Sequence, residues 1–494
     1  MKNSLKLLPK LLPALALLSA GAAHAAEKPR PNIIFVLSDD QRWDALGAAG
    51  NPNISTPNMD RVAREGVYFP EATIANPQCM CSRSVLLTGL STHTNGRYSN
   101  QIARADIVNR HGFDQYTCLP EVLAKAGYAT VNVGKWHIEP DPWNCGFQET
   151  GTWFPPGAGP YKGAQLAHGK SRKTEKYEGF TQEAFGDSAV KLLKQHADSK
   201  STQPIFMWFA TTAPHGPFGP NPAAANAPYK GKSAEDLIPP TFKGNRHQKN
   251  AKWLDYYAAI TSVDIELGRL FKTLDDTGMS SNTVVVFLGD NGYMMGSRNR
   301  MGKAVPYEDS IRVPLAIWGP GVFAGKGKTD AVASSLDLPS TLASLAGAEI
   351  PSSWQGRDLT ATLTDAQTHG TTWSVSESCD YENWKFPKNA YRTVRTKDSK
   401  LIVWAPQVKK APEFYDLAKD PHEEHNVYAD AAMQPRIHAL QAVLDQWMKD
   451  TKDDWKMAGP LVVQGGRDHG GKDGEKPAGK KAKKKHKKQT DADE

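Results

Sequence analysis

Four short apolar segments of this 494-residue chain each lead into side chains that can bind a metal ion or move a proton. The segments are residues 31–40, 128–137, 204–218 and 283–292. The polar residues that follow their apolar runs are Asp39, Asp40, Lys135, His137, His215, Asp290 and Asn291. Any one of them could be an ordinary solvated loop residue. Four such coincidences make that interpretation poor and predict a functional site.

The same segments have the composition of strands buried on both faces, because they are short and rich in β-branched and aromatic residues. Helical patterns lie between them, at residues 57–66, 119–127, 181–196 and 253–277, the last followed by Gly278 as a helix C-cap. This alternation predicts an α/β fold with a large mixed, mostly parallel sheet sandwiched by helices. Ligands bind beyond the carboxyl ends of such strands, so the polar residues are predicted to meet there.

Asp39, Asp40, Asp290 and Asn291 are hard oxygen donors, and no Cys/His pair with zinc spacing accompanies them. Their chemistry predicts a Ca²⁺ site, with Mg²⁺ as the alternative. Clustered carboxylates at the ends of apolar strands would repel one another unless a cation lay between them.

Residues 79–89, CMCSRSVLLTG, place two of the five cysteines just ahead of a predicted helix, whose first turns run from Ser82 to Leu87 and which ends at Gly89. Cys79 then lies at a helix N-terminus, where backbone N–H groups and the helix dipole favour an anion. Arg83 lies four residues later and projects to the same side. The arrangement suits a sulfate or phosphate group. The alternative is a buried structural or disulfide-bonded cysteine.

Both ends of the chain indicate segments outside the fold. Residues 1–25 combine lysines, a short apolar run and an Ala-His-Ala sequence, which predicts a signal peptide, export to the periplasm or medium, and no membrane span. Residues 467–494 predict a disordered Lys-rich tail. The tail carries a net charge of +4 and the signal segment +3, which together account for the whole formal charge of +7. The charge therefore gives no reason to expect nucleic-acid binding.

The ordered motifs resemble those of the type I sulfatases, in the alkaline phosphatase superfamily. Residues 79–89 match the family signature, and Lys303, in MGKAVPYEDSIRVPL, matches its second active-site lysine. The other matching segments are PNIIFVLSDDQRWDALG, GKWH, APHGPF and GDNG. The resemblance implies a catalytic domain at residues 26–370 and a small C-terminal α+β subdomain at residues 371–466.

In that family the first cysteine of the signature is oxidised by a maturation enzyme to Cα-formylglycine, whose hydrate is the nucleophile. The resemblance implies that Cys79 is this residue and that Asp290 assists its deprotonation. His137 would later take a proton from the remaining hydroxyl and so expel sulfate. Arg83 would be the arginine that stabilises the formylglycine. The implied sulfate-binding residues are Lys135, His215 and Lys303, with His215 or Lys303 protonating the leaving alcohol. The implied metal ligands are Asp39, Asp40, Cys79 as formylglycine, Asp290 and Asn291.

Cys81 departs from the family pattern, because it stands where most members have Pro or Ala. Two other functions remain open: a formylglycine-dependent phosphodiester or phosphonate monoester hydrolase, and a non-catalytic binder of sulfated glycans with an unconverted Cys79. The expected substrate is a sulfated carbohydrate. The aromatic residues that could stack on a sugar, but that could equally be core residues, are Trp43, Trp136, Trp153, Tyr381 and Trp384. Three further cysteines could supply one disulfide: Cys118, Cys145 and Cys379.

Overall fold

The computed structural model of the chain describes residues 29–107, 113–242, 252–368, 370–380, 389–456 and 461–463. The predicted signal peptide and Lys-rich tail lie outside these ranges and stay predictions, as does the domain boundary at residue 370. Each helix within the described ranges is too short or too polar to cross a bilayer.

The described strands and helices follow one another along the chain as the sequence pattern indicates. The strands are β1 (Asn32–Ser38), β2 (Val67–Tyr68), β3 (Ile102–Arg104), β4 (Ala129–Lys135), β5 (Glu149–Phe154), β6 (Gln165–His168), β7 (Thr174–Lys176), β8 (Ile205–Ala210), β9 (Thr283–Gly289), β10 (Leu315–Trp318), β11 (Gly327–Lys328), β12 (Trp373–Asp380), β13 (Asn389–Thr396), β14 (Ser399–Trp404), β15 (Glu413–Asp416) and β16 (Leu461–Val463). The helices are α1 (Pro57–Glu65), α2 (Cys79–Thr88), α3 (Thr92–Asn95), α4 (Leu119–Lys125), α5 (Thr181–Asp198), α6 (Ala223–Asn226), α7 (Trp253–Asp276), α8 (Glu308–Ile311), α9 (Leu338–Leu345), α10 (Thr360–Thr364) and α11 (Gln434–Thr451).

Ten strands form one mixed sheet in the order β11-β2-β10-β9-β1-β8-β4-β5-β6-β7. Its centre, from β9 to β5, is parallel, and antiparallel strands flank it on both sides. The four strands predicted to carry the polar residues are direct neighbours in the order β9-β1-β8-β4. Their carboxyl ends therefore meet at one edge of the sheet, and the predicted fold class is confirmed.

Side chains of β1 alternate between two cores, because successive residues of a strand point to opposite faces of the sheet. Ile34 and Val36 pack with α1, α5 and α7 on one face. Ile33, Phe35 and Leu37 pack with α2, α4 and α9 on the other. The sheet is thus covered on both sides, and α2 approaches it from the second face.

A four-stranded antiparallel sheet, β12-β13-β14-β15, forms the smaller unit with α11. One face packs against Leu440 and Leu444 of α11. The other face contributes Trp404 to a cluster with Met294 and Tyr307 of the large unit. The chain between Met294 and Tyr307 contains Lys303, so the small sheet braces the segment that carries this lysine.

A buried network of charges also joins the two sheets. His93 of α3 has its Nδ1 2.8 Å from Glu377 Oε2 on β12, and Arg392 of β13 contacts both Glu377 (3.3 Å) and Asp453 (3.1 Å). Burial lowers the pKa of His93, but the carboxylates of Glu377 and Asp453 outweigh it and the pKa lies above its usual value. The imidazolium is therefore the form that the network stabilises.

We expect this network to make stability depend on pH. Because folding raises the pKa of His93, its contribution is complete below the unfolded pKa of about 6.5 and is lost as pH rises through the folded pKa. His93→Gln should cost about 3 kcal/mol at pH 6 in urea unfolding, and progressively less toward pH 9. His438→Gln, at an exposed position on α11, is the matched control. A His93→Gln cost that stays constant from pH 6 to 9 would contradict the assignment.

Candidate active site

Three carboxylates and a thiol meet at the carboxyl edge of the parallel strands. One ligand atom from each of Asp39, Asp40, Cys79 and Asp290 lies within 4.8 Å of the others, and all four residues are buried. Asp40 has a positive φ of 67°, and its backbone N–H donates to Asp290 Oδ1 at 3.2 Å. The turn after β1 thus directs two consecutive carboxylates at the end of β9.

Cys79 is the first residue of α2, so the helix begins three residues earlier than the predicted Ser82 and ends at Gly89, as predicted. The Cys79 thiol lies 3.1 Å from Asp39 Oδ1, and the Lys303 ammonium donates to its sulfur at 2.7 Å. The positive end of the helix dipole faces the same point. Cys79 is completely buried, so only an unfolded or opened chain exposes its thiol.

Cationic side chains balance the carboxylates. Arg83 donates two hydrogen bonds to Asp290 Oδ2, at 3.0 and 2.8 Å, and one to the carbonyl oxygen of Lys135 at 2.9 Å. The ammonium of Lys135 pairs with Asp39 and that of Lys303 with Asp40. The prediction that Arg83 projects to the same side as Cys79 agrees with this geometry.

The surrounding charges give Asp39 and Asp290 very different pKa values. Burial would raise the pKa of Asp39, but the charges of Lys135 and His215 outweigh it and hold the pKa well below its usual range. Burial and the negative charge of Asp39 raise the pKa of Asp290 to about 7, although Arg83 opposes the rise. Asp290 is therefore the carboxyl group of this site that can exchange a proton near neutral pH.

The two predicted histidines differ in what surrounds them. His215 Nδ1 donates to the carbonyl oxygen of Gly216 at 2.9 Å, which leaves Nε2 facing Asp40 Oδ2 at 3.7 Å. His137 is buried, and its Nδ1 has no hydrogen-bond partner among the described residues. Burial and the charge of Lys135 lower the pKa of His137 well below its usual value, which keeps the ring neutral and able to accept a proton.

Two oxygen atoms at the centre are buried acceptors that lack a hydrogen-bond donor within the described structure: Asp40 Oδ2 and Asn291 Oδ1. The Asn291 amide nitrogen donates to Asp40 Oδ1 at 2.6 Å and to Gly292 O at 2.8 Å, which fixes the amide orientation. Buried acceptors of this kind need a partner. A hard divalent cation supplies one, so the donor set fits Ca²⁺ or Mg²⁺.

Sequence reasoning missed two residues that shape the site. A Cβ atom on Gly157, just beyond β5, would lie 2.4 Å from His137 Nε2, so a larger residue would displace the imidazole. The hydroxyl of Tyr256, in the first turn of α7, donates to the backbone oxygen of Asp40 at 2.7 Å. Neither residue belongs to a recognisable motif, because each acts through a contact that only the folded chain creates.

The aromatic residues considered for sugar binding differ in exposure. Trp136 and Trp153 are 1% and 0% exposed and belong to the core. Of the two possibilities that the sequence left open for them, sugar stacking and core packing, the second applies. Trp43 is partly exposed, but the Arg312 guanidinium lies 4.0 Å from its ring centroid and covers one face. Tyr381 and Trp384 lie outside the described residues.

All five cysteines are buried and free of disulfides, so the predicted disulfide is not formed in this structure. The thiols of Cys118 and Cys145 are hydrogen-bonded to each other between α4 and the chain leading to β5. The Cys81 thiol lies 3.3 Å from the carbonyl oxygen of Arg97. Cys81 is therefore directed differently from Cys79, whose thiol contacts Asp39.

Residues 31–348 match the family model described as Sulfatase, and residues 296–450 match the model described as N-sulphoglucosamine sulphohydrolase, C-terminal. The chain belongs to the sulfatase family. The family prediction is thereby confirmed, and the matched ranges include the aspartates, the Cys79 helix, both lysines and the small antiparallel sheet.

Relatives in this family include an N-acetylglucosamine-6-O-sulfatase of Bacteroides thetaiotaomicron, 26% identical, with 92% of each chain covered. An ulvan-active sulfatase of Formosa agariphila is 27% identical, with 87% of this chain and 83% of the relative covered. The solved structure of BT4656 in complex with its substrate D-glucosamine-2-N,6-O-disulfate matches with a TM-score of 0.71 and 25% identity. That match covers 86% of this chain and 99% of the other.

Asp40 Oδ2 and Asn291 Oδ1, the two buried oxygens without a hydrogen-bond donor in the described part of the chain, make the predicted cation site testable by thermal unfolding. Calcium added to chelator-treated protein should raise the melting temperature, and a concentration of 100 times Kd should stabilise the fold by about 2.7 kcal/mol. Asn291→Ala should abolish most of this shift, whereas Asn299→Ala, at an exposed position, should retain it. Stoichiometric zinc in the purified protein, with no thermal response to calcium or magnesium, would refute the oxygen-donor site.

Proposed function

We propose that this enzyme hydrolyses sulfate esters of a carbohydrate, with Cys79, converted to formylglycine, as the nucleophilic residue. The observation that carries the proposal is the position of Cys79. Its side chain lies at the N-terminus of α2, in contact with Asp39 and Lys303 and within 4.8 Å of the carboxylates of Asp40 and Asp290. Because cationic side chains lie beside this position, a sulfate ester can bind here, and a nucleophile at residue 79 can attack its sulfur atom.

An unmodified Cys79 is poorly suited to the attack. Burial and the negative charge of Asp39 raise the pKa of its thiol well above the usual value. Since the thiolate is the nucleophilic form, the thiol would be almost entirely unreactive at neutral pH. A maturation enzyme that oxidises the side chain to an aldehyde supplies instead a hydrated carbon whose hydroxyl groups can attack and later release sulfate.

The cations around Cys79 suit the three outer oxygens of a sulfate ester. Lys303 already contacts the Cys79 sulfur, and Lys135 pairs with Asp39, whose other oxygen lies 3.1 Å from that sulfur. Arg83 donates two hydrogen bonds to Asp290 Oδ2 and so orients this carboxylate. The other oxygen, Oδ1, then accepts the backbone N–H of Asp40. A divalent cation held by the oxygen donors would add positive charge next to the sulfate.

Proton transfers divide between the two histidines. His215 is the more exposed, at 16% for its side chain, so it can reach the oxygen of the departing alcohol and protonate it through Nε2. His137 lies deeper and is held neutral, so it can accept the proton whose loss expels sulfate and restores the aldehyde. Asp290, with a pKa of about 7, can assist the first deprotonation.

A carbohydrate as the alcohol is supported by what the relatives are named for, N-acetylglucosamine 6-O-sulfate and ulvan, and by the disulfated glucosamine bound to BT4656. Export of the enzyme is supported by the predicted signal peptide in residues 1–25. Such substrates are large, polar and abundant outside cells, which is consistent with that location.

Conversion should occur at Cys79 and not at Cys81. Mass spectrometry of the peptide containing both residues, from a host with maturation machinery, should find the aldehyde at position 79. Cys79→Ala should fold but lose all turnover of a sulfated sugar, whereas Cys81→Ala should retain it, since the Cys81 thiol contacts Arg97. An aldehyde at position 81, or an active Cys79→Ala variant, would overturn the proposal. A phosphate diester measured in parallel reports the competing hydrolase activity.

The two histidine variants should fail at different steps. His215→Ala should slow formation of the covalent sulfate ester, most strongly for substrates with poor leaving groups. His137→Ala should instead slow its breakdown, so that a burst of alcohol precedes a slow steady state. Rapid-quench kinetics with aryl sulfates of graded leaving-group pKa would separate them. An identical leaving-group dependence for both variants would contradict the division of roles.

A further inference from the structure

One loop, residues 155–164 between β5 and β6, packs against the first of the two histidines proposed for proton transfer. The carbonyl oxygen of Pro155 accepts the backbone N–H of His137 at 3.2 Å. Gly157 lies so close to the His137 imidazole that an added Cβ atom would be 2.4 Å from Nε2 and 2.6 Å from Cε1. The loop thus fixes both the main chain and the ring of His137.

The same loop reaches the second histidine through Tyr161. The Tyr161 hydroxyl donates to the backbone carbonyl oxygen of His215 at 2.7 Å, and the side chain is 2% exposed within the core. Burial and the negative charges of Asp39 and Asp40 raise the pKa of Tyr161 well above its usual value, so the phenol stays protonated and remains a donor. The main chain at His215 therefore receives a hydrogen bond from this loop.

The loop is itself fixed at the start of α5. Thr181, the first residue of α5, donates from its backbone N–H to Tyr161 O at 2.8 Å and from its hydroxyl to Pro160 O at 2.9 Å. Lys162 and Phe180 form a β-bridge beside these hydrogen bonds. The backbone of Tyr161 is thereby held against α5, which gives its hydroxyl a defined position.

We propose that Gly157 and Tyr161 are positioning residues that place the two histidines for their separate proton transfers. This inference rests on the proposed function. Gly157 sets the ring position of His137, because a residue without a side chain leaves room for the imidazole. Tyr161 sets the position of His215, because its hydroxyl holds the backbone from which that ring projects. A displacement of about 1 Å at a reacting group can lower a rate about 100-fold, so contacts that act only through the histidines still matter for turnover.

Tyr161→Phe should act through His215 alone. With aryl sulfates of graded leaving-group pKa, it should lower kcat/KM about 5-fold for the poorest leaving group and less than about 2-fold for the best, because one neutral hydrogen bond is lost. In a His215→Ala background the same substitution should cost nothing further, as a double-mutant cycle shows for residues that act together. Tyr177→Phe, at a partly exposed position after β7, is the matched control and should leave kcat/KM unchanged.

Gly157→Ala should act through His137 instead. Displacement of the ring should slow breakdown of the covalent sulfate ester about 10-fold and produce a burst of alcohol. This loss should disappear in a His137→Ala background, where the added methyl group meets no imidazole. Gly169→Ala is the matched control, because a Cβ atom there has no neighbour within 4 Å. Its positive φ of 59° costs stability, so it shows what destabilisation alone does to turnover, and it should produce no burst.

The kinetics can overturn the proposal in three ways. The first is an unchanged rate in either Tyr161→Phe or Gly157→Ala. The second is a Tyr161→Phe loss that is equal for every leaving group. The third is a loss that persists undiminished when the corresponding histidine is alanine. The last two results are those expected of a merely structural role.

Failure of the proposed function gives a different result. If the wild-type enzyme, after confirmed maturation, hydrolyses no sulfate ester, the sulfatase proposal fails, and crystal structures of the variants then judge the positioning. The His137 ring should be displaced in Gly157→Ala, and the His215 main chain in Tyr161→Phe, whereas Tyr177→Phe should change neither. Histidines that keep their wild-type positions in all of these variants would overturn the inference.

Discussion

The packing of three buried carboxylates against one another is the constraint on which this structure depends. Asp39, Asp40 and Asp290 each place a carboxylate oxygen within 4.8 Å of the others, away from water. Left uncompensated, such charges would be strongly destabilising, because burial and mutual repulsion both disfavour the ionised form. The lysines, the Arg83 guanidinium and the proposed cation are therefore as much a condition of folding as of catalysis.

Sheet topology supplies the means of meeting this constraint. Neighbouring parallel strands end at the same edge, so β1, β4, β8 and β9 deliver acidic, basic and amide groups to one place without a long loop. The helix α2 adds Cys79 from one face, and the small antiparallel sheet supports the chain around Lys303 from the side. The large unit thus supplies the charged groups of the centre, and the small sheet braces the segment that carries Lys303.

Much of this arrangement could be predicted from the sequence, because polar residues that interrupt apolar strands leave a strong local signal. The strand ends, the helix at Cys79 and its stop at Gly89 are of this kind. Side-chain environment is different. Nothing local distinguishes the buried Trp136 from a tryptophan that binds sugar, and the clearance that His137 needs from Gly157 exists only between distant segments. Contacts across the fold remain invisible in the pattern of residues.

The central claim, that these carboxylates are assembled around a divalent cation next to a converted Cys79, is tested most directly by a crystal structure of the matured enzyme with calcium. The account predicts anomalous density at the centre, with oxygen ligands from Asp39, Asp40, Asp290 and Asn291 at about 2.3–2.6 Å. It also predicts side-chain density at position 79 for a hydrated aldehyde. A centre that contains no cation at millimolar calcium, with Lys135 and Lys303 still paired to Asp39 and Asp40 and a thiol at position 79, would contradict it.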